Sequence, residues 1–390
     1  MRVEFFRHSV GSEELDAISR VFDSVFLTNG PENLEFERAF SDYLGIQEAV
    51  TTSSSTAALH LALVALGIGP GDEVVTTPMT FVATSNAILM AGAVPVFVDV
   101  NQATGLIDAD RVESVITSRT KAILPVHLYG QLADMRVIRE TADRAGVRVV
   151  EDAAHAIEAQ RDGVRPGQLG DACTFSFYAT KSITSGEGGA LTTNDGEIAQ
   201  TVRRLRNQGM SSSALDRYGS RYRHWDVAAP GWKAGMSTFQ AAMLVPQLQR
   251  IEKMWARRDE IARRYEAAFE AAGIEFPVAV PESNRNARHL FTIWVDPLRR
   301  DDILHGLEQR GVGVAVNYRP IHLTSYYRSR FGYEAGDFPV AEMIGERTIS
   351  LPLYSGLRDD EVDYVITTVA KVCGPQGARA ASGNPRAVRG

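Results

Sequence analysis

The chain has few cysteines, no surplus of positive charge and no long apolar run. Cys173 and Cys373 are the only cysteines among 390 residues, too few and too far apart for a disulfide framework or a four-thiolate metal site. They favour a reducing cytoplasm. With 41 Lys and Arg against 48 Asp and Glu, the formal net charge of −7 gives no general attraction to nucleic acid or an anionic membrane. An anionic ligand must therefore be held by a local site.

The sequence marks of membrane insertion, export and nucleotide binding are also missing. The apolar stretch 87–100 is interrupted by Gly92 and Pro95, well short of a ~20-residue transmembrane span. The N-terminal residues show no sustained apolar region and no small-residue cleavage site, which argues against a signal peptide. Neither G-x-G-x-x-G nor G-x-x-x-x-G-K-[ST] occurs, which argues against an NAD enzyme or an NTPase. We expect a soluble protein.

Short apolar strands alternate with amphipathic helices from residue 49 to about 200. The pattern predicts strands at 74–77, 94–98, 122–126, 147–150 and 173–177, and helices at 56–66, 80–91 and 134–145. This alternation is typical of an α/β fold with a mostly parallel sheet covered by helices on both faces. Ligands of such folds collect at the carboxyl ends of the strands.

The pattern changes near Ser237 to a long helical segment, 239–272, in which Pro246 should cause an early kink or break. Strand candidates at 291–295 and 312–316 then flank a helix at 301–310. We predict a large domain at 1–245, which includes the N-terminal segment, and a smaller C-terminal α/β domain at 246–373. The remainder, 374–390, is rich in Gly, Ala, Pro and Arg and is predicted to be a flexible tail.

Two residues point to pyridoxal phosphate (PLP). Lys181 follows the strand 173–177 and precedes a hydroxyl- and glycine-rich turn, where its amine can meet an aldehyde. Asp152 follows the apolar strand 147–150 at its carboxyl end. PLP chemistry needs a lysine for the Schiff base and an acid that keeps the pyridine nitrogen protonated, so that the ring acts as an electron sink. The two motifs, in this order, predict a PLP enzyme.

The segment 51–59 runs from a strand into a helix and is rich in serine and threonine. Its hydroxyls and the first amides of the helix can hold a phosphate, although serine and threonine are also preferred as ordinary N-caps. The presence of Lys181 and Asp152 favours the phosphate interpretation. Ser176, on the strand that leads to Lys181, is a second candidate hydroxyl.

Other polar and aromatic residues have competing interpretations. Phe81 could stack on a flat ring, but for a lone phenylalanine core packing is favoured by about three to one. Lys233 and His322 lie in irregular segments, where a solvated loop is the default. Asp152 and His155 could be mistaken for metal ligands. No third cluster and no H-E-x-x-H motif supports a metal site, so none is predicted.

At these residues the sequence closely resembles the DegT/DnrJ/StrS family of PLP-dependent nucleotide-sugar aminotransferases. The resemblance covers nearly the whole chain to about residue 374, and its matching segments are 28–31, 54–59, 151–156, 176–189 and 347–354. It implies a fold-type I aminotransferase. It also implies a set of cofactor contacts: Lys181 as the Schiff-base lysine, Asp152 at the pyridine nitrogen, His155 at the 3-hydroxyl, Phe81 on the ring, and Ser55, Thr56 and Ser176 at the phosphate.

The resemblance further implies a homodimer in which the neighbouring subunit reaches the phosphate through the segment matching 231–236. Relatives often carry Asn or Arg where this sequence has Gly235, which leaves Lys233 as the remaining polar candidate for that contact.

The implied reaction is transamination of a nucleotide-activated ketosugar with L-glutamate as the amino donor. The segment 229–237 contains Gly-aromatic-Lys and looks more like relatives that aminate carbon 4 than like those that aminate carbon 3. We therefore expect a dTDP- or UDP-4-keto-6-deoxyhexose as the substrate, with Asn317 and His322 as substrate contacts.

Three alternatives remain open at this point. One is a 3-ketosugar aminotransferase of the same family, and another is a PLP-fold regulatory protein without turnover. A PLP-dependent sugar dehydratase is the third, but such dehydratases replace the lysine by histidine or need clustered cysteines. Lys181 and the two distant cysteines argue against it.

Overall fold

The structure is a computed structural model that describes residues 1–212, 224–278, 281 and 283–374. The predicted tail lies outside the described residues after position 374. Among the described residues, no helix is both long and apolar enough to cross a membrane.

Within these ranges the chain forms nine strands and twelve α-helices. The strands are β1 Glu48–Thr52, β2 Glu73–Thr76, β3 Val94–Phe97, β4 Thr120–Ile123, β5 Arg148–Asp152, β6 Ala172–Ser176, β7 Gly189–Thr193, β8 Phe291–Trp294 and β9 Thr348–Leu351. The helices are α1 Ser12–Val21, α2 Pro31–Leu44, α3 Ser55–Ala65, α4 Ala83–Met90, α5 Met135–Ala145, α6 Gly196–Leu205, α7 Thr238–Gln249, α8 Ile251–Ala271, α9 Arg300–Gln309, α10 Ser325–Phe331, α11 Pro339–Arg347 and α12 Asp359–Cys373.

Seven strands form one sheet in the order β1-β7-β6-β5-β4-β2-β3. The neighbours from β6 to β3 are all parallel, whereas β7 is antiparallel to both β1 and β6. The predicted α/β fold with a mostly parallel sheet is confirmed. Strand β7 was not predicted, because its short sequence begins within a cluster of glycines and resembles a turn.

Four phenylalanines anchor the strand that leads to Lys181. Phe40 of α2 meets Phe175 edge to face at 5.0 Å between ring centroids, and Phe36 meets Phe177 in the same way at 5.2 Å. All four side chains are fully buried. Each such pair contributes about 0.5–1.5 kcal/mol beyond its buried area. The carboxyl end of β6 is therefore held firmly against α2.

The C-terminal part contains the two-stranded antiparallel sheet β8-β9 with helices α8, α9 and α12 packed against it. The predicted strand at 312–316 is wrong. This segment makes only two isolated bridges, Val3 with Val312 and Ala315 with Ser350. Gly311 has a φ of +78°, and a side chain at Gly313 would collide with the Phe5 backbone. The segment therefore meets β9 and the N-terminal chain at one bridge each and forms no continuous strand.

The helix predicted at 239–272 is interrupted at Arg250, so that it forms α7 and α8. The interruption follows shortly after Pro246, which lies inside α7 and cannot donate a hydrogen bond to the preceding turn. The predicted domain boundary at residue 245 falls within α7. Val3 packs in the C-terminal hydrophobic cluster. The division at this position stays a prediction.

Gly189 is the point of closest approach between β7 and the start of α3. An added Cβ atom would collide with the backbones of Ser54 and Ser55. We expect Gly189→Ala to lower the free energy of unfolding by about 1–3 kcal/mol, which is typical of overpacking. Gly196→Ala is the matched control, because nothing lies within 4 Å of its added methyl group. Urea unfolding of both variants checks this, and equal midpoints would contradict it.

Candidate active site

A cavity of about 560 Å³ lies between the carboxyl ends of the large sheet and the β8-β9 sheet. The large sheet and its helices contribute polar residues from several separate segments. The opposite side is more apolar, because the N-terminal chain and β9 provide Phe5, Phe6, Leu351 and Leu353. Of the predicted site residues, the cavity collects Ser55, Thr56, Phe81, Asp152, His155, Ser176, Lys181 and Asn317.

Lys181 sits on a turn that buried side chains hold in place. Gln247 of α7 accepts a hydrogen bond from the Thr184 amide at 2.9 Å and donates to the Thr184 carbonyl at 2.8 Å. The Ser182 hydroxyl donates to Glu158 at 3.3 Å. Glu158 is fully buried and forms an ion pair with Arg258 of α8 at 2.5 Å. The turn is therefore attached to both helices of the interrupted segment.

The surroundings of Lys181 lower the pKa of its amine. Burial lowers the pKa of the lysine to about 8, and the nearby Asp152 carboxylate acts in the opposite direction. The Nζ atom lies 3.5 Å from Nε2 of His289. At pH 7 about a tenth of the amine is thus unprotonated, far more than for an ordinary lysine, and this is the form that attacks a carbonyl carbon.

Asp152 lies at the carboxyl end of β5 and is fixed through both carboxylate oxygens. Oδ2 accepts a hydrogen bond from the Thr84 hydroxyl at 2.8 Å, and Oδ1 accepts one from the Ala154 amide at 3.1 Å. Because the single proton of Thr84 goes to Asp152, the Thr80 hydroxyl donates to Thr84, at 2.8 Å. The carboxylate thus has one defined orientation at the cavity.

Three rings line the cavity next to Lys181. Nε2 of His155 lies 3.2 Å from the Tyr318 hydroxyl, and the rings of His155 and His289 are 4.3 Å apart. Burial holds the pKa of each histidine well below its ordinary value, and the positive charge of Lys181 acts in the same direction. Both imidazoles are therefore neutral at physiological pH. Burial also raises the pKa of Tyr318, so its hydroxyl keeps its proton.

The start of α3 also lines the cavity and offers hydrogen-bonding groups to it. Ser54, not Ser55, is the N-cap of the helix and accepts a hydrogen bond from the Ala57 amide at 3.1 Å. The buried Ser55 hydroxyl has no partner among the described residues. Ser176 is buried nearby on the strand end that pairs with Gly189. Such an unpaired hydroxyl at a helix start fits the phosphate of PLP.

The predicted residues outside these groups differ in their placement. Phe81 is 58% exposed and lies 6.0 Å from the Tyr318 ring, so it is not a core residue. Asn317 lines the cavity, and its buried Oδ1 has no partner among the described atoms. His322 lies outside the cavity, fully buried and bonded to Glu342 at 2.9 Å. Lys233 is exposed and does not line the cavity either.

Sequence reasoning missed Thr84, His289 and Tyr318. Thr80 and Thr84 are four residues apart near the start of α4. This spacing places two side chains on the same face of a helix, but it does not predict which residue they contact. His289 and Tyr318 come from the C-terminal part of the chain, where no motif surrounds them. Only the packing of that part on the large sheet brings them to Lys181.

The architecture and the residues around Lys181 define a PLP-dependent aminotransferase of fold type I. The model of the DegT/DnrJ/EryC1/StrS aminotransferase family matches residues 8–370. The spore coat polysaccharide biosynthesis protein SpsC of Bacillus subtilis is 42% identical over 369 residues, which cover 93% of this chain and 95% of SpsC. The chain belongs to this aminotransferase family.

Solved structures agree with this assignment. DesV of S. venezuelae, in complex with a ketimine intermediate, is 37% identical with a TM-score of 0.85 over 93% of this chain and 94% of DesV. NtdA of Bacillus subtilis with bound cofactor PMP is 30% identical with a TM-score of 0.82, over 95% of this chain and 85% of NtdA. The expected PLP dependence and the expected activity, that of a sugar aminotransferase, are confirmed.

The low pKa of Lys181 can be measured by trace acetylation of the protein stripped of cofactor. We expect the labelling of Lys181 to rise with pH around a midpoint of about 8, because only the unprotonated amine reacts. An ordinary lysine has a midpoint near 10.4. The peptide that contains the exposed Lys253 is the reference. A midpoint near 10 for Lys181 would contradict the described burial.

Proposed function

We propose that this protein transfers the amino group of L-glutamate to carbon 4 of a dTDP- or UDP-linked 4-keto-6-deoxyhexose, as a cytoplasmic homodimer. The observation that carries the proposal is the Lys181 amine, with its pKa near 8, in the same cavity as the oriented Asp152 carboxylate. Membership in a family of sugar aminotransferases gives the substrate class.

The cofactor contacts in this proposal are those that the family resemblance implies, and the shared cavity supports them. Lys181 would hold PLP through its aldehyde carbon, and Asp152 would pair with the pyridine nitrogen. Bound PLP supplies an electron sink for the carbon next to the transferred nitrogen. The exposed face of Phe81 stacks on the ring, and the neutral His155 contacts the 3-hydroxyl. The phosphate is held by the hydroxyls of Ser55, Thr56 and Ser176.

Lys181 carries out the proton transfers in this proposal. Once the amino donor has displaced Lys181, its Nζ atom would take a proton from one of the two carbons bonded to the transferred nitrogen. It would return the proton to the other carbon, as general base and then general acid. A pKa near 8 suits both directions near neutral pH, because the protonated form exceeds the free amine by only about tenfold at pH 7. The apolar side of the cavity, with Phe5, Phe6, Leu351 and Leu353, limits the access of water to this atom.

The choice of carbon depends on how the sugar is oriented towards Lys181. Asn317 supports a direct contact, because its unpaired amide oxygen is buried at the cavity. His322 is held away from the cavity by Glu342, so its proposed contact requires another arrangement of this segment. Lys233 is on the surface, where a neighbouring subunit can meet it. Sedimentation that shows an active monomer at assay concentrations would refute the dimer.

The reaction is tested with ¹⁵N-labelled glutamate and a panel of dTDP- and UDP-linked 3-keto and 4-keto hexoses. We expect ¹⁵N at carbon 4 of a 6-deoxy product, located by NMR. Label at carbon 3, with the 3-keto sugar consumed in preference, would favour the alternative aminotransferase. A protein that is inert toward every amino donor would favour the regulatory alternative.

Asp152→Asn should lower turnover by about two to four orders of magnitude, because a neutral amide does not keep the pyridine nitrogen protonated. In the asparagine variant the amide oxygen can still accept from the Ala154 amide, and the Thr84 hydroxyl can rotate to accept from the amide nitrogen, so the fold should persist. Asp42→Asn is the control, since that side chain is exposed on α2. Steady-state rates with glutamate check the expectation, and near-normal turnover in the Asp152 variant would contradict the role.

A further inference from the structure

His289 lies within hydrogen-bonding distance of the free end of Lys181. The distance between Nε2 of His289 and Nζ of Lys181 is 3.5 Å. The histidine is 8% exposed and lines the same cavity. It belongs to the segment just before β8, whereas Lys181 follows β6. The contact therefore joins the two sides of the cavity.

The segment that carries His289 is fixed from both sides. The Ala287 amide donates to the Gly130 carbonyl at 2.8 Å, and the Leu290 amide donates to the Tyr129 carbonyl at 3.4 Å. Arg288 forms ion pairs with Asp259 at 2.9 Å and Glu266 at 2.5 Å, both on α8. A backbone held at these points leaves the imidazole little freedom. The ring is therefore placed at Lys181 by the fold.

The groups around the imidazole determine its charge. His155, Lys181 and Arg258 face it from three different elements, and burial together with these neighbours holds its pKa well below the ordinary value. Asp152 and Tyr318 lie on the same side of the cavity, Glu158 is paired with Arg258, and Arg7, His8 and Tyr354 line an adjoining cavity with His289. A neutral imidazole presents one lone pair and one N–H group. Its lone pair can accept a hydrogen bond from an ammonium group or an amine.

We propose that His289 is a positioning residue for Lys181, whose Nε2 accepts a hydrogen bond from Nζ whenever the amine is not bonded to the cofactor. This rests on the proposed role of Lys181. No proton passes to His289, since the proton that Lys181 moves travels between Nζ and the reacting carbon. The contact keeps the released amine directed into the cavity and stabilises its protonated form, which returns the proton to the product.

Two substitutions separate this contact from the simple filling of space. In His289→Gln the side-chain amide reaches the position of Nε2, whereas in His289→Asn it reaches only the position of Nδ1. Both keep the residue polar and smaller than histidine. His305→Gln is the control, because His305 is exposed on α9. The holoenzymes are converted by glutamate to the form in which Lys181 is free. The labelling midpoint of Lys181 and the kinetic constants are then measured.

We expect the Lys181 midpoint of His289→Asn to fall by about one pH unit, because the ammonium form loses a charge-assisted hydrogen bond. Its kcat should fall about tenfold to a hundredfold, with a KM for glutamate that changes less than about threefold. His289→Gln should have a Lys181 labelling midpoint and a kcat close to those of the wild type, and His305→Gln should match the wild type in both.

Equal midpoints in His289→Asn, His289→Gln and the wild type would overturn the proposal, whatever the activities. So would a drop in kcat that is equal in the Asn and Gln variants. If glutamate fails to convert the wild-type protein, the proposed function is at fault. The same labelling series on the protein stripped of cofactor then still decides whether His289 contacts the amine.

Discussion

The burial of one amine is the constraint on which the rest of the active site depends. Lys181 must be surrounded closely enough for its pKa to fall to about 8, yet it must open onto a cavity large enough for a cofactor and a sugar. The phenylalanines on α2 and β6 hold the strand that delivers it. Gln247 and the buried pair of Glu158 and Arg258 hold its turn. The C-terminal sheet then closes the other side of the cavity.

The large sheet was predictable because its parallel strands are short, apolar and regularly spaced between helices. All five strands predicted between residues 74 and 177 occur in the large sheet within a few residues of their expected places. The errors have physical causes. Strand β7 begins with glycine and pairs antiparallel, so it lacks the pattern of its neighbours. The segment 312–316 has strand-like residues, but it pairs with β9 and with the N-terminal chain through only one isolated bridge each, so no continuous strand forms.

The residues of the site also fall into two groups, those that local sequence patterns predict and those that they do not. Lys181, Asp152, Ser55 and Ser176 follow strands or open a helix, and the rules of parallel sheets bring such positions together. His289 and Tyr318 come from segments that no local pattern links to the cavity, and Thr84 is recognisable only once Asp152 is seen beside it. His322 was expected to contact the substrate, but it is buried away from the cavity and hydrogen-bonded to Glu342. Long-range packing thus decides the half of the site that local sequence does not encode.

The most direct test of this account is to locate the covalent attachment of the cofactor. The protein as purified with PLP is reduced with borohydride, digested and analysed by peptide mass spectrometry. The account predicts a pyridoxyl group on the peptide that contains Lys181, in near-stoichiometric yield, and none on the peptides of Lys233 or Lys253. A pyridoxyl group on another lysine, with Lys181 unmodified, would contradict it.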